Sequence, residues 1–437
     1  MSIVLRQGVI VGDGATHVGD VLIDDGRIIE VATSIDAPSD AREIDARDCW
    51  IGPGFVDLHT HLREPGREEA ETVWSGALAG AVGGYTAVVA MPNTEPALDN
   101  VALVAYVLER GSRAVIDVAV AGAITLGRRG ELLAPIAQMA ELGVRLFSDD
   151  GTGVQDPALM RRALTYARPL GVRLAQHCED ERLAGSGVMN EGALSGRLGL
   201  EGRPALAEEI MVVRDIELVR LTGGALHFMH LSTKRSVELV RNARAEGLNV
   251  TAEVAPHHFT LDESACAGFD PVFKVHPPLR SASDVLELRD ALRTAAVDAV
   301  ATDHAPHAPQ LKDLAFDEAP AGVLGLEEAA ALTYEALGAE QCDPVRFFEL
   351  LSRAPARIAR LRSSDHRLGL SAHGGDVVAG EDANLVLFDP RVRWSVDRER
   401  RQSRSTNTPY HGRAMLGRPR VTVARGRLIV SDGEVLV

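Results

Sequence analysis

Lysine is nearly absent from this sequence. Of 46 basic residues among 437, only Lys234, Lys274 and Lys312 are lysines, so almost all positive charge is arginine. The four cysteines, Cys49, Cys178, Cys266 and Cys342, show no paired spacing. That scatter excludes a disulfide framework and a cysteine-based zinc knuckle, and they read as reduced thiols. No apolar run approaches the roughly 20 residues of a membrane span. The start, MSIVLRQGVIVGDG, lacks the basic opening and long apolar stretch of a signal peptide, and the expected location is the cytoplasm. No basic run overrides the formal net charge of −16, which disfavours nucleic acid and anionic membranes as partners. Low-complexity repeats are missing as well. What is present is an ordinary globular composition, 46% hydrophobic and 25% charged, enough for at least one large core.

The two ends share one texture. VLRQGVIVGDG and DVLIDDGRIIEVA read as short strands with Asp-Gly hairpin turns, and DANLVLFDP, VTVARGRLIV and SDGEVLV repeat the pattern at the other end. Residues 1–50 and 366–437 are therefore expected to form one small β-sandwich domain. Between them, apolar runs alternate with helical stretches such as REEAETVWSGALAGAV and DVLELRDALRTAA. Eight runs qualify as strands: GFVDLH, YTAVVAM, VIDVAVAGAI, VRLFSD, VRLAQH, ALHFMH, NVTAEV and DAVATD. They predict an α/β fold, a TIM-type (β/α)8 barrel over residues 51–365. The alternative, a doubly wound open sheet, lacks its Gly-rich turn after the first strand.

Side chains at i and i+2 share a face of a strand, so His59 and His61, closing the first run, can point at one ion. Alone, the pair could equally be structural histidines. Four of the other runs end alike: Asp149 and Asp150 in FSDDG, His177 in AQHCED, His230 in FMHLS and Asp303 in ATDHAPHA. Barrel active sites are assembled at these strand ends. Four imidazoles and two carboxylates exceed the needs of one tetrahedral zinc and suit two ions sharing a carboxylate. His59, His61 and Asp303 are expected to hold one ion, His177 and His230 the other, with Asp150 spanning both. Asp149 reads as a supporting or turn-capping acid. Two Zn2+ are the expected cofactors, with Co2+ or Mn2+ tolerated by the same ligands.

GFVDLHTHLREPG, MPNTEP, FSDDG, AQHCED, HLSTK, TAEVAPHH, PPLR and ATDHAPHA, in this order, resemble dihydroorotase of the amidohydrolase superfamily, in its longer bacterial class. The resemblance spans nearly the whole chain. It implies reversible cyclisation of N-carbamoyl-L-aspartate to L-dihydroorotate in pyrimidine biosynthesis. Hydantoinase and allantoinase relatives usually bridge their metals with a carbamylated lysine at the fourth strand end, where this chain has Asp149 and Asp150. The resemblance assigns Arg63 and Asn93 to the substrate α-carboxylate. Arginine's planar fork suits that anion, although Arg63 could instead pair with Glu64 or Glu68 and Asn93 could cap a turn. His307 and the Ala321–Gly322 peptide resemble further substrate contacts, with Gly322 permitting close approach. Before PPLR the family usually has asparagine, whereas this chain has His276, which can still donate a hydrogen bond.

Asp303 is expected to carry the proton from the attacking hydroxide to the leaving ring nitrogen. Residues 307–325, polar and proline-broken, read as a lid, with a plain surface connection as the alternative. Two other functions stay open: another cyclic-amide hydrolase, such as a hydantoinase or allantoinase, and a silent scaffold for aspartate transcarbamoylase. A homodimer and an active assembly with that transcarbamoylase are compatible partners.

Overall fold

A parallel strand with helices on one side and a packed interior on the other is buried on both faces, so it reads as an unbroken apolar run. The computed structural model, which describes residues 2–365 and 368–436, places every such run in one sheet. The chain first lays down β1 (Ile3–Val11), β2 (Thr16–Asp24), β3 (Arg27–Ala32), β4 (Arg42–Asp45) and β5 (Trp50–Pro53). The barrel strands β6 (Phe55–Thr60), β7 (Tyr85–Ala90), β8 (Asp117–Gly122), β9 (Leu146–Ser148) and β10 (Arg173–Gln176) follow. After a two-residue pair, β11 (Met189–Asn190) with β12 (Gly202–Arg203), come β13 (Leu226–Phe228), β14 (Val250–Val254) and β15 (Ala299–Val300). Strands β16 (Leu385–Ser395), β17 (Ala414–Ala424), β18 (Arg427–Ser431) and β19 (Glu434–Val435) end the chain.

Strands β6 to β10 and β13 to β15 run parallel in sequence order as an eight-stranded sheet. Its two edges meet through a Thr60–His304 bridge, with the His61 amide donating to the His304 carbonyl at 2.9 Å. A buried carboxylate completes this seam. Asp57 accepts from the Thr302 amide (2.8 Å) and from the hydroxyls of Thr302 (2.6 Å) and Thr60 (2.5 Å). Burial outweighs these bonds and pushes its carboxyl up to about 6. Val56, Leu58, Ala87, Val89, Ala121, Ala175 and Ala299 belong to a common buried cluster, mostly small side chains that fit a barrel interior. Several crossover helices open on a side-chain cap, including Thr72, Asn100, Asp156, Thr233 and Ser281.

The sandwich expected from the two ends is one nine-stranded sheet, ordered β19-β18-β17-β16-β5-β1-β2-β3 with β4 beside β1. Its halves share a core: Ile3, Leu5, Val21 and Ile23 from the first strands pack with Leu385, Leu387, Val421 and Val423 from the last. Because β5 bridges β1 and β16, this sheet extends to Pro53, past the boundary expected at residue 50. The second expected boundary, at residue 366, lies outside the described residues. Residues 396–413, between β16 and β17, leave the sheet and pack on the barrel. There Ser405 Oγ donates to Ala70 (2.7 Å), the Tyr410 and Thr260 hydroxyls meet at 2.7 Å, and Arg401 pairs with buried Glu328. No helix among the described residues is long and apolar enough to cross a membrane.

Candidate metal and active site

The pairing of β6 with β7 slips register between Asp57 and Thr60. His59, within that slip, and His61, just past it, aim together at one carboxylate. Their Nε2 atoms lie 3.3 and 3.5 Å from Asp150 Oδ2, and His59 and His61 Nε2 lie 3.6 and 3.1 Å from Asp303 Oδ1. On the other side of Asp150, Oδ1 faces His177 Nδ1 (3.7 Å) and His230 Nε2 (3.6 Å). Two three-residue groups result, His59–His61–Asp150 and Asp150–His177–His230, joined by the two oxygens of a single carboxylate. All six side chains are buried. Burial pushes the Asp150 carboxyl up, but His59, His177 and His230 more than offset it and hold it well below the usual range. Burial likewise pushes the Asp303 carboxyl up, and the surrounding His61, His59 and His230 together more than offset it and hold it below the usual range.

The tautomers favour ligation. His61 Nδ1 is 2.8 Å from Asn93 Oδ1, while Asn93 Nδ2 donates to Asp150 at 3.3 Å, so the amide oxygen faces the imidazole and Nδ1 carries the proton. His59 Nδ1 is 3.1 Å from the carboxylate of Glu253. With Nδ1 so engaged, Nε2 is the atom each histidine turns to the centre, and buried His59 Nε2 has no hydrogen-bond partner. An orphaned imidazole nitrogen beside converging carboxylates fits a bound divalent cation, and a carboxylate behind the ligand is the usual support for a metal-binding histidine.

Asp149 plays another part. Its carboxylate accepts from the amides of Ile124 (2.9 Å) and Thr125 (3.0 Å) and from the Thr125 hydroxyl, which fixes the turn after β9 and aims Asp150 inward.

A cavity of about 410 Å3 opens above the centre, lined by His61, Asp150, His177, His230 and Asp303 together with Arg63, Asn93, His276, His307, Ala321 and Gly322. Every substrate contact expected from the sequence reaches this one space. Arg63 Nε donates to the Pro306 carbonyl at 3.0 Å. Glu64 and Glu68, its acidic neighbours, accept instead from the amides of Val73 and Gly66, both at 2.9 Å. Burial and nearby Arg67 lower Arg63 to about 10, still cationic at neutral pH. Asn93 spends its oxygen and one N–H on the metal-centre residues, which leaves one N–H for a ligand.

His307 Nε2 lies 2.8 Å from the Ala321 carbonyl and so carries the proton; burial and Arg63 push its pKa down to about 2, leaving a neutral ring. His276 is also held neutral by burial, with Arg203 adding to the effect. A Cβ on Gly322, at φ 137°, would meet Ala305 Cβ at 2.7 Å and His307 Nε2 at 2.8 Å. Arg63, His230 and Asp303 adopt positive φ (59°, 31° and 47°), a conformation that costs a non-glycine residue on the order of 1–3 kcal/mol and clusters at functional sites.

The loop 307–325 forms the outer wall of the cavity. Lys274 Nζ donates to Asp317 O (2.8 Å), Lys312 Nζ to Pro320 O (2.7 Å) and Pro271 O (3.0 Å), and Gly322 N to Lys274 O (2.8 Å). Two of the three lysines thus pin it. Lys274 also reaches the cavity wall, but its Nζ is spent on this loop, and the carboxylate between the two ligand groups belongs to Asp150. Sequence reasoning missed Glu253, whose one signal is a lone acid inside the apolar strand VTAEV. It also missed Arg203, which lines the cavity from the short β12 and carries no sequence signal.

Residues 50–236 match the family model described as dihydro-orotase-like. The dihydroorotase of Anaeromyxobacter dehalogenans (strain 2CP-C) is 45% identical over 424 residues, 96% of this chain and 95% of that protein. That of Mycobacterium tuberculosis (strain ATCC 25618 / H37Rv) is 42% identical over 439 aligned positions, covering both chains fully. Among solved structures, L-hydantoinase (dihydropyrimidinase) from Arthrobacter aurescens superposes with a TM-score of 0.88 at 22% identity, covering 100% of this chain and 97% of that one. Dihydropyrimidinase from Brevibacillus agri NCHU1002 gives 0.84 at 23%, covering 100% and 96%. At such identities these two establish the barrel fold alone. The full-length similarity to dihydroorotases goes further, and this chain belongs to the dihydroorotase family.

Proposed function

We propose that this chain is a dihydroorotase with a binuclear centre, interconverting N-carbamoyl-L-aspartate and L-dihydroorotate with loss or gain of water. The observation that carries the reading is the division of Asp150, one oxygen to each histidine pair, directly beneath a cavity holding buried Arg63. His59, His61 and Asp303 would hold one cation, His177 and His230 the second, and Asp150 both. Zinc suits these imidazole and carboxylate donors, and cobalt or manganese can replace it. Bound divalent cations supply Lewis acidity, polarising an amide carbonyl and making water acidic near neutral pH.

The chain's own residues do the rest. Arg63 and the free N–H of Asn93 hold the α-carboxylate, placing a local cation in the path of an anion approaching an acidic protein. In ring opening, water adds to the amide carbonyl and the carbon–nitrogen bond breaks. Ionised Asp303 takes the proton from the attacking oxygen and delivers it to the departing ring nitrogen, and the order reverses in cyclisation. The walls formed by His276, His307 and the 321–322 peptide enclose the ring and limit bulk water around it.

Arg63 and Asn93 favour a carboxylated ring over the uncharged rings of hydantoin and allantoin. The test is turnover of all three compounds by one preparation, with metal content measured per chain. Preferred hydrolysis of dihydroorotate with two metals bound is expected. Preference for hydantoin or allantoin would defeat the substrate assignment, and full activity with one ion or none would defeat the binuclear centre.

A further inference from the structure

Asn407 lies on the 396–413 segment, outside every motif at the barrel strand ends, yet it is buried beside the cavity rim. Its Nδ2 donates to the carbonyls of Ala305 (3.0 Å) and Gly322 (3.1 Å), and its Oδ1 accepts the amide of His307 (3.2 Å). Its own carbonyl accepts the Leu324 amide at 3.1 Å. Both N–H groups and the oxygen of the amide are therefore engaged with backbone. One side chain ties together two stretches of the site that also pair directly where the Ala305 amide meets the Val323 carbonyl (2.7 Å): the rim carrying His307 and the returning peptide carrying Ala321 and Gly322. Asn407 is not among the residues lining the catalytic cavity. With His307 it lines a separate cavity of about 370 Å3, so the two form part of the wall between the spaces.

We propose that Asn407 is a positioning residue for substrate binding: it fixes the spacing between His307 and the Ala321–Gly322 peptide without touching the ring. The inference rests on the dihydroorotase reading. Asp150, Asp303 and the four ligand histidines sit on other supports, so loss of Asn407 should loosen substrate capture and spare the chemical step. The carboxamide donors are essential to this role. Aspartate has the same shape and keeps an acceptor for the His307 amide, but it sets a carboxylate oxygen against two carbonyls.

Asn407→Ala and Asn407→Asp are compared with wild type in the full-length, metal-loaded enzyme. In both variants KM for dihydroorotate is expected to rise by about tenfold or more, with kcat reduced less than about threefold. Metal content per chain should match wild type. Hydrogen exchange should accelerate within residues 305–324 and stay unchanged in β1 to β3. A wild-type KM in folded Asn407→Asp would overturn the proposal, because shape alone would then suffice. Failure of both variants to fold or to bind metal would also overturn it, making Asn407 a structural residue. If wild type itself did not turn over dihydroorotate, the functional reading would fail, and the exchange comparison would still decide whether Asn407 holds the two stretches together.

Discussion

Glu253→Gln is the substitution that most directly tests how the metal centre is held. Glu253 is buried on β14, with Oε1 3.1 Å from His59 Nδ1 and Oε2 2.9 Å from His227 Nε2. Burial pushes its carboxyl up, but His227 and His59 outweigh this and lower it to about 2, so it is a charged acceptor at working pH. Glutamine keeps the volume and removes the charge. If its oxygen stays on His59, a charge-assisted bond becomes a neutral one of roughly half the strength. If its NH2 turns to His59, the imidazole proton is driven to Nε2, the atom that faces Asp150. Loss of such a support typically lowers metal affinity by about 10–100-fold, equivalent to about 1.4–2.8 kcal/mol. Chelator-competition titration with Zn2+, read as metal per chain, measures the change. One ion should weaken within that range while the ion at His177 and His230 is less affected, and the fold should persist by circular dichroism. Affinity within twofold of wild type at both positions would show that Glu253 does not support His59 as the geometry requires.

Three further outcomes are expected. Arg63→Ala removes a buried cation of the cavity and should cut kcat/KM by about 10–150-fold, from the roughly 1.5–3 kcal/mol of a charged hydrogen bond; steady-state kinetics giving an unchanged ratio would free Arg63 of its role. Asp303→Asn should lower turnover by about 10³-fold or more, general acid–base assistance alone being worth roughly 10²–10⁴, while circular dichroism stays unchanged; wild-type rates would remove the proton shuttle. Lys312 is lowered from 10.5 to about 7, first by burial and then by Lys274. Between those values the unfolded chain binds a proton that the folded chain does not, so this group makes stability rise with pH from about 7 to 10.5. Lys312→Met should flatten that part of the Tm–pH curve, and parallel curves for the two proteins would contradict the assignment.

The barrel was legible because its strands are buried on both faces and five of the eight end in imidazole or carboxylate. His59 and His61 could be paired by strand periodicity alone, whereas the register slip in β6 was not visible. The β-sheet shared by the chain ends was legible from its hairpin turns, but where its first segment ends along the chain was not. Trp50–Pro53 looks like the start of the barrel run and yet pairs with β1 and β16. Within the site, periodicity places residues on strands and is silent about loops. Asn93 therefore read as a substrate contact or a turn cap, whereas the structure sets its amide oxygen against His61. Glu253, Arg203 and Asn407 stayed hidden for a related reason. Each acts through partners distant in the chain, 194 positions away for Glu253 and His59, and no local pattern encodes such a pairing. The stretch 307–325, read as a lid with a plain connection as the alternative, lines the cavity and is held by hydrogen bonds from Lys274 and Lys312.

The sheet shared by the chain ends sets a schedule for the ribosome. Strand β5 finds its second neighbour only when β16 has emerged, and β5 ends at Pro53 while β16 begins at Leu385. At roughly 5–20 residues per second, translation of that interval lasts on the order of 20–70 s. Throughout that time the growing polypeptide carries β1 to β5 with one edge open and half of an apolar core uncovered, a template for pairing with a neighbouring nascent chain.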